Sequence, residues 1–337
     1  MQLKPETKIL GIGSPILDIL VNVDDAFIAS AGGGKGGMAL VDTAAQDKLV
    51  AEASKACKQK LAIGGSSANT IFGLAQLGAK TAFLGCLGED TDAEFYKKSY
   101  ASIGGDLSRF KTSGKAHTGR CLSMITPDSE RTMRTDLGAA CLLSKDNISV
   151  ADFKGFSLVH AEGYLLYMPG LLEHILKEAK QAGCEISLDL STFDVVKRNI
   201  ATLPSLLKDY VDVVFANEDE AREFCVAQGM TFSPELAVET LGKLCPTAAV
   251  KLGKDGAIIR RNGANSRVKA ELVKAIDTTG AGDLWQAGFL YGYINGKSPE
   301  ACAKMGAVLG AEVVQVLGAE IPAARWSEIK KKISKIG

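Results

Sequence analysis

The sequence predicts an α/β protein built on a mostly parallel sheet with helices on both faces. Short apolar runs, several of them ending in glycine, alternate with segments of helical period along the 337-residue chain. Such alternation is typical of parallel sheets, because each crossover helix covers one face of the sheet. A segment of period-2 character around a P-D-S-E turn at 118–137 predicts a hairpin that stands apart from this pattern.

The order of the elements supports this fold class. Apolar runs predict strands at 8–13, 16–23, 60–65, 81–87, 158–161, 185–190, 211–216, 248–252 and 257–261. Helical spacing predicts helices at 69–77, 91–103, 169–182, from 218, and at 281–294, 298–317 and 323–336. We therefore expect a single domain over residues 1–337 with a small discontinuous β-sheet lid formed by about 19–45 and 112–136.

The composition excludes several classes of protein. With 39 basic and 39 acidic side chains and 46% apolar residues, the chain is neither disordered nor, with 36 glycines, a collagen-like repeat. Zero net charge argues against nucleic acid as a partner. No apolar run predicts a membrane span or a secretory signal. The eight cysteines are widely spaced, which predicts free thiols in a reducing cytoplasm.

The segment with the strongest chemical indication is Asp277–Asp283, D-T-T-G-A-G-D, which precedes an apolar helix. Small residues at 280–282 let a ligand approach the backbone, and the free N–H groups and dipole of a helix start favour an anion. A carboxylate at Asp283 could accept a proton from a hydroxyl that attacks a bound phosphate. The structural alternative is that Asp277 or Thr278 caps the helix and Asp283 complements its dipole.

A second segment, G-G-S-S-A-N, occupies Gly64–Asn69. Glycine N–H groups and the Asn69 amide at a helix start suit hydroxyls or phosphate, whereas the structural alternative makes Asn69 an N-cap. Asp18 is an acid between Leu17 and Ile19. A buried carboxylate needs a partner, and a sugar diol and a structural salt bridge fit equally well.

An acidic run, N-E-D-E, begins at Asn217 after a predicted strand. Ligands bind at the carboxyl ends of parallel strands, and clustered carboxylates there suit Mg²⁺ held through waters. The structural alternative is an ordinary acidic helix N-terminus. Two glycine-rich segments fail as nucleotide motifs: Ile16 stands where a dinucleotide fingerprint needs glycine, and glycine follows Lys35 where a P-loop needs Ser or Thr.

Together, G-G-S-S-A-N, N-E-D-E, K-L-G-K-D-G at 251–256 and D-T-T-G-A-G-D-L-W-Q-A-G-F-L resemble the ribokinase or PfkB family of carbohydrate and nucleoside kinases. The resemblance spans nearly the whole chain. It implies a ribokinase-like fold and transfer of the γ-phosphate of ATP to a primary hydroxyl. The segments G-I-G-S-P-I-L-D, K-G-G-M-A-L and T-G-R-C…E-R-T-M-R-T-D-L-G-A-A are most similar to the adenosine-kinase-like branch.

The resemblance implies a role for individual residues, with Asp283 as general base. The phosphate would be bound by an anion hole and an arginine, namely Gly280, Ala281, Gly282 and Arg131. The hydroxyls of the acceptor would be bound by Asp18, Gly64, Gly65 and Asn69. ATP would be held by Asn217, Glu220, Lys251, Gly253 and Thr278, with Glu220 reaching Mg²⁺ through water.

The acceptor is less narrowly predicted. A nucleoside kinase needs an apolar or aromatic slot, for which Tyr164, Met38 and Leu40 are candidates, with core packing as the structural alternative. Adenosine is the first expectation. The alternatives are ribose, fructose or 2-keto-3-deoxygluconate, and the acidic sugar would need a further cation such as Arg120 or Arg134.

A different class, a non-catalytic sensor of nucleosides or sugars, would lack the base or the phosphate loop, and both are present. The resemblance implies ATP and Mg²⁺ and leaves open both a monovalent cation such as K⁺ near Asp277 and Gly318 and a choice between monomer and homodimer. Two departures from the family pattern are Asp189, where asparagine is frequent, and Trp285, where a smaller aromatic residue is frequent.

Overall fold

The computed structural model describes residues 7–32, 34–128 and 130–337. The strands of these residues are β1 (Lys8–Ile12), β2 (Ile16–Asn22), β3 (Gly37–Leu40), β4 (Lys60–Gly64), β5 (Lys80–Leu84), β6 (Cys86–Leu87), β7 (Lys111–Thr112), β8 (Gly119–Ile125), β9 (Arg131–Asp136), β10 (Leu158–Glu162), β11 (Glu185–Asp189), β12 (Val213–Asn217), β13 (Thr247–Lys251), β14 (Ala257–Arg261) and β15 (Ala264–Val268).

The α-helices of the same residues are α1 (Asp25–Ser30), α2 (Thr43–Ala56), α3 (Ser66–Leu77), α4 (Thr91–Ser102), α5 (Val150–Phe153), α6 (Leu171–Gln181), α7 (Phe193–Asn199), α8 (Leu203–Tyr210), α9 (Glu218–Val226), α10 (Pro234–Leu241), α11 (Ala281–Ile294), α12 (Pro299–Val313) and α13 (Trp326–Ser334). Single 3₁₀ turns occur at Gly138–Leu142, Lys145–Asn147, Gly163–Tyr167, Gly253–Asp255 and Ala323–Arg325.

The large sheet confirms the predicted α/β class. Its strand order is β15-β14-β13-β12-β11-β10-β1-β5, with parallel pairing from β13 to β5 and antiparallel pairing at β14 and β15. Successive residues of one strand enter the cores on opposite faces: Leu10 packs on one side and Ile9 on the other. Both faces are therefore covered, as expected for a parallel sheet.

A smaller sheet contains the predicted hairpin. Its order is β3-β9-β8-β2-β4, and β8 and β9 form the antiparallel pair that the period-2 pattern predicted. The sheet also contains β4, which comes from outside the two ranges predicted for the lid. The lid boundaries therefore stay a prediction.

One strand and one helix depart from the bounds that the sequence predicted for them. The strand predicted at 81–87 is interrupted at Gly85, where an added Cβ would lie 2.7 Å from the Gly13 carbonyl oxygen. The helix predicted from 69 begins earlier, at Ser66, so Asn69 lies inside it and its prediction as N-cap is wrong. The N-cap is Gly65, and its φ of 106° is a conformation that glycine adopts at little steric cost.

Cys86, Cys121, Cys184 and Cys225 are buried free thiols, as predicted. Among the residues that the structure describes, none of the helices has the length and apolar character needed to cross a membrane.

Two adjacent helices carry the glycine-rich motifs. Helices α3 and α11 pack closely because Gly73 removes a side chain from their interface, where an added Cβ would lie 2.7 Å from Ala287 Cβ. A hydrogen bond of 3.0 Å from Thr70 Oγ1 to the Asp283 carbonyl joins the two helices near their N-termini. The N-termini of both helices therefore open on one place, beside the carboxyl ends of the parallel strands.

Candidate active site

A cleft of about 1450 Å³ lies between the carboxyl edge of the large sheet and the smaller sheet. Strand order reverses between β1 and β10, which is where open α/β sheets bind ligands. Sites for one drug-sized ligand are typically about 300–1,000 Å³, so this cleft has room for two. Every site residue that the sequence predicted lines it except Gly64, which packs behind Asp18.

Asp283 projects into the cleft from the first turn of α11. Its Oδ2 accepts a hydrogen bond of 2.9 Å from Asn69 Nδ2, and its Oδ1 accepts one of 3.3 Å from Ser66 Oγ. Burial raises the pKa of Asp283 to about 6, against the lowering effect of Asn69. Asn69 therefore orients this carboxylate, a role that the sequence did not indicate.

The start of α11 presents backbone donors. Its N-cap is Gly280, at a φ of 70°, so neither Asp277 nor Thr278 caps the helix as the structural alternative required. The Ala281 N–H already donates to the Thr278 carbonyl at 3.2 Å. Because the first N–H groups of a helix have no partner within it, those of Gly282 and Asp283 remain suitable for an anion.

Asp18 faces the same cleft from β2. Within the described part of the chain it has no ion pair or hydrogen bond, so the structural salt bridge proposed as its alternative is not formed. Burial is the main cause that raises its pKa to about 6, and Arg131 opposes the shift. Gly64 leaves room for this carboxylate, because a Cβ there would lie 2.5 Å from Asp18 Oδ2. Arg131 lines the cleft and donates to the Met133 sulfur at 2.9 Å.

Glu162, at the end of β10, was not predicted. It is 1% exposed, and it accepts hydrogen bonds from the Ser14 N–H at 2.9 Å and the Ser67 N–H at 3.1 Å. Burial raises its pKa to about 7, although both N–H groups oppose the shift. It thereby fixes the turn after β1 to the start of α3. An acid directly after an apolar strand was the sequence signal that could have found it.

Asn217 and Glu220 form a reciprocal cap at the start of α9. Asn217 Oδ1 accepts from the Glu220 N–H at 2.9 Å, and Glu220 accepts from the Asn217 N–H and side-chain amide, both at 2.7 Å. The structural interpretation of this acidic run is thus confirmed, yet both residues also line the cleft. Burial raises the pKa of Glu220, and Asp189 adds to the effect.

This donor set fits a magnesium ion held mainly by phosphate and water. No group of three or more His, Cys, Asp or Glu in residues 7–32, 34–128 and 130–337 is arranged to chelate a metal. Mg²⁺ characteristically keeps several waters and takes one or two carboxylates together with substrate phosphates. Glu220 lines the cleft and can contact such a hydrated ion through its remaining lone pairs.

The two departures from the family pattern both reach the cleft. Asp189 forms an ion pair with Lys251, whose Nζ lies 3.3 Å from Asp189 Oδ1. Trp285 lines the cleft and stacks on Phe289 with a centroid distance of 5.4 Å. The ion pair does not follow from chain spacing, because its partners come from different strands, whereas Trp285 and Phe289 are four residues apart on α11.

The loop before α11 is held by Asp277. This carboxylate accepts from the Thr279 N–H at 2.9 Å, from Thr279 Oγ1 at 2.6 Å and from the Gly318 N–H at 2.8 Å. Thr278 then lines the cleft beside the anion-binding turn. Asp277 and Gly318, predicted together near a monovalent cation, are thus in direct contact, and the cation itself stays a prediction.

Apolar side chains line the cleft together with Tyr164. Met38 and Leu40 are 44% and 56% exposed, so core packing, the structural alternative for both, is excluded. Arg120 and Arg134 do not line it: Arg120 pairs with Asp47 and Asp92, and Arg134 donates to the carbonyls of Gly32 and Gly34. The further cation that an acidic sugar would need is therefore not supplied by either of them.

Comparison with known proteins agrees with this geometry. The model of the pfkB family of carbohydrate kinases matches residues 38–326. An adenosine kinase from Sinorhizobium meliloti is 30% identical, with 97% of this chain and 99% of that chain aligned at a TM-score of 0.85. A probable sugar kinase from Rhizobium etli CFN 42 is 31% identical, with 98% and 99% aligned at a TM-score of 0.86. Adenosine kinase from Saccharomyces cerevisiae is 27% identical over 340 residues, covering 95% of this chain and 98% of the yeast protein.

Proposed function

The chain belongs to the pfkB family of carbohydrate kinases, and we propose that it transfers the γ-phosphoryl group of ATP to the primary hydroxyl of a nucleoside, with adenosine as the first candidate. Kinases of this adenosine kinase and ribokinase type are phosphotransferases with an alcohol acceptor. The observation that carries the proposal is the position of Asp283. It is a carboxylate held by Ser66 and Asn69 where the N-termini of α3 and α11 meet, in a cleft with room for two ligands.

We divide the cleft into two ends. The acceptor end is defined by Asp18, Asn69, Arg131 and Tyr164, and the nucleotide end by Asn217, Glu220, Lys251, Gly253 and Thr278. Asp283 lies between them, in contact with Asn69 and within electrostatic range of Lys251. A phosphoryl group can therefore pass from one end to the other beside this carboxylate.

Asp283 accepts the proton of the attacking hydroxyl. A pKa of about 6 leaves it ionised at neutral pH and still basic enough to take a proton. The N–H groups of Gly282 and Asp283, at the positive end of the helix dipole, stabilise phosphoryl oxygens. Glu220, whose carboxylate is held by Asn217, would contact a bound Mg²⁺ through water, and that ion would supply further charge neutralisation. Positioning and charge therefore supply most of the catalysis.

Asp18 binds the secondary hydroxyls of the acceptor. Its carboxylate lacks a protein partner among the residues described, so two acceptor oxygens are free for a sugar diol. Arg131 lies on the smaller sheet and faces the transferred group. When that sheet closes over the acceptor, it excludes water, which would otherwise compete as a phosphoryl acceptor.

A nucleoside fits the acceptor end better than an acidic sugar. Apolar and aromatic side chains of the cleft lining offer surface for a flat base, and they include Tyr164, Met38, Leu40, Met133, Leu137, Tyr167 and Met168. Besides Arg131, the arginines among the described lining residues include Arg198, and its charge is already paired with Asp194. A neutral sugar is the second candidate, because one similar structure is that of a probable sugar kinase.

The test is ATP-dependent release of ADP in the presence of Mg²⁺. Adenosine, guanosine, inosine, ribose, fructose and 2-keto-3-deoxygluconate are compared at equal concentration. Strong turnover with adenosine is expected. Turnover with a free sugar alone would contradict the nucleoside assignment and keep the kinase. Binding of an acceptor without turnover of any of the six would favour a sensor instead.

A further inference from the structure

An ion pair with little exposure lies at the nucleotide end of the cleft. Lys251 Nζ and Asp189 Oδ1 are 3.3 Å apart, and 12% and 6% of the two side chains are exposed. The residues end strands β13 and β11, and β12 lies between those strands in the sheet. Burying two charges costs desolvation energy that a neutral pair would avoid. A role in the chemistry of the cleft would account for this arrangement.

The ammonium group also lies against the start of α11. A Cβ added at Gly282 would lie 3.1 Å from Lys251 Nζ, so glycine there gives the ammonium access to the proposed anion hole. Burial lowers the pKa of Lys251, but Asp189, Glu220 and Asp283 together raise it above its usual value. The side chain is therefore a cation at neutral pH.

The other cations that line the cleft are placed differently. Arg131 belongs to the smaller sheet, Arg198 pairs with Asp194, and Lys254 and Lys269 are exposed. Among the lining residues that the structure describes, Lys251 is thus the enclosed cation beside the anion hole. Its charge acts in a region of reduced dielectric, where an interaction with phosphate is strong.

We propose that Lys251 exchanges partners, from Asp189 in the free enzyme to the γ-phosphoryl group of bound ATP, and that the site thereby distinguishes ATP from ADP. The inference rests on the proposed function and deepens it. Asp189 holds the ammonium in place between turnovers. The negative charge of the ATP triphosphate then competes with one carboxylate for the same cation, whereas ADP has no γ-phosphoryl group to do so.

The chemical step is consistent with this role of Lys251. The bond between the γ-phosphorus and the β–γ bridging oxygen breaks, and a bond forms between that phosphorus and the acceptor oxygen. The hydroxyl proton passes to Asp283, and the products are ADP and a phosphate monoester. Negative charge moves to the leaving oxygen, and a nearby ammonium stabilises it. Once the phosphoryl group has left, Lys251 returns to Asp189.

The test measures nucleotide affinity as well as activity. ATP and ADP are titrated calorimetrically with Mg²⁺ and without acceptor, so that no phosphoryl transfer to an acceptor takes place. Lys251→Met removes the charge and keeps the alkyl volume. The double variant Lys251→Met, Asp189→Asn removes both charges, so that no unpaired carboxylate remains buried. Lys180→Met is the matched control, because Lys180 pairs with Asp212 and does not line the cleft.

Both Lys251 variants should bind ATP at least about 30-fold more weakly, with ADP affinity changed less than about threefold, and should lose about 100-fold in kcat. Lys180→Met should keep the ATP-to-ADP affinity ratio. If Lys251→Met fails to fold, the charge-neutral double variant carries the test.

An unchanged affinity ratio in the double variant would overturn the partner exchange and leave the ion pair a structural one. The proposed function fails in a different way. An unmodified chain that prefers ATP over ADP through Lys251 but phosphorylates no acceptor would contradict the kinase assignment and keep the inference about Lys251.

Discussion

The two ends of the cleft differ in how their polar groups are partnered. At the nucleotide end, Glu220 is bonded by Asn217, and Lys251 is paired with Asp189. At the acceptor end, Asp18 has no hydrogen bond or ion pair among the described residues, and Arg131 donates to a methionine sulfur. The nucleotide end is therefore organised before a ligand arrives, whereas the acceptor end depends on the ligand to complete its hydrogen bonds. The predictions below test this difference, from the largest expected effect on activity to the smallest.

Substitution of Asp283, the carboxylate between the two ends of the cleft, should have the largest effect on activity. Asp283→Asn keeps the shape of the side chain and its contact with Asn69, but removes the base. We expect kcat to fall at least about 100-fold, because general-base catalysis contributes roughly 10²–10⁴-fold. ATP binding, measured by calorimetry, should be largely kept. More than a tenth of the original kcat, with chemistry as the slow step, would contradict the assignment of Asp283.

The unpartnered carboxylate of the acceptor end should affect binding. Asp18→Ala removes the group proposed to bind two hydroxyls, so KM for the acceptor should rise about 10–100-fold, as expected for hydrogen bonds to a charged group. The KM for ATP should change little, because the nucleotide end is organised without Asp18. Asp25→Ala is the control: it removes an exposed carboxylate of the same part of the chain, paired with Lys35. An unchanged acceptor KM in Asp18→Ala would show that the assignment of Asp18 is wrong.

The pH profile of kcat/KM should separate proton acceptance by Asp283 from hydroxyl binding by Asp18. Burial raises the pKa of Asp283 and of Asp18 to about 6, so kcat/KM should fall below that pH by up to 100-fold per unit, since two protons bind. In Asp18→Asn the slope should reduce to tenfold per unit. If the unmodified chain and Asp18→Asn gave the same slope, Asp18 would not need to be ionised for activity.

Protonation of the same two carboxyl groups, which should lower activity, should stabilise the folded chain. Their pKa values are higher in the folded chain than the usual value of 3.8, so the folded state binds more protons than the unfolded state between about pH 4 and 6. Their contribution to the free energy of unfolding is thus fully present below about pH 4 and is lost as the pH rises through 6. Thermal unfolding between pH 4 and 8 would measure this pH dependence. In Asp283→Asn, whose side chain cannot titrate, the pH dependence should be smaller.

The sequence predicted what depends on neighbours in the chain and missed what depends on distant partners. The glycine turns before α3 and α11, the hairpin β8–β9 and the alternation of the large sheet were all visible as spacing. The contact between Asn69 and Asp283 joins residues 214 positions apart, and that between Ser14 and Glu162 joins residues 148 apart. No local pattern encodes such pairs, so although Glu162 could have been found as an acid after an apolar strand, neither its partners nor the orientation of the base could be predicted.

Helix α2 was missed for a different reason. It lies against the smaller sheet and buries a narrow stripe at Gln46, Leu49 and Ala53, while most of its other side chains are at least partly exposed. A helix whose only apolar side chains larger than alanine are Leu49 and Val50 gives a weak periodic signal. All strands of the large sheet except β15 gave a strong signal, because that sheet is buried on both faces. Helices α8 and α10 were nevertheless missed although each buries apolar side chains, so the amount of buried apolar surface alone did not decide the outcome.

The contact between α3 and α11 should have the smallest effect on chemistry, because it acts through position alone. Gly73→Ala would place a Cβ 2.7 Å from Ala287 Cβ, so the helices must separate slightly. We expect a loss of about 1–3 kcal/mol in the free energy of unfolding, as for other overpacked interiors, and a fall of only a few-fold in kcat.

Gly310→Ala in α12 is the matched control, because its Cβ would meet no atom closer than 3.5 Å. It should be neutral or stabilise by about 0.4–1 kcal/mol, since alanine restricts the unfolded chain. Chemical denaturation of the two variants measures the difference. If Gly73→Ala were as stable as Gly310→Ala, α3 could move relative to α11 without cost. Asn69 would then not be held rigidly against Asp283, and the acceptor end would be more adaptable than its packing indicates.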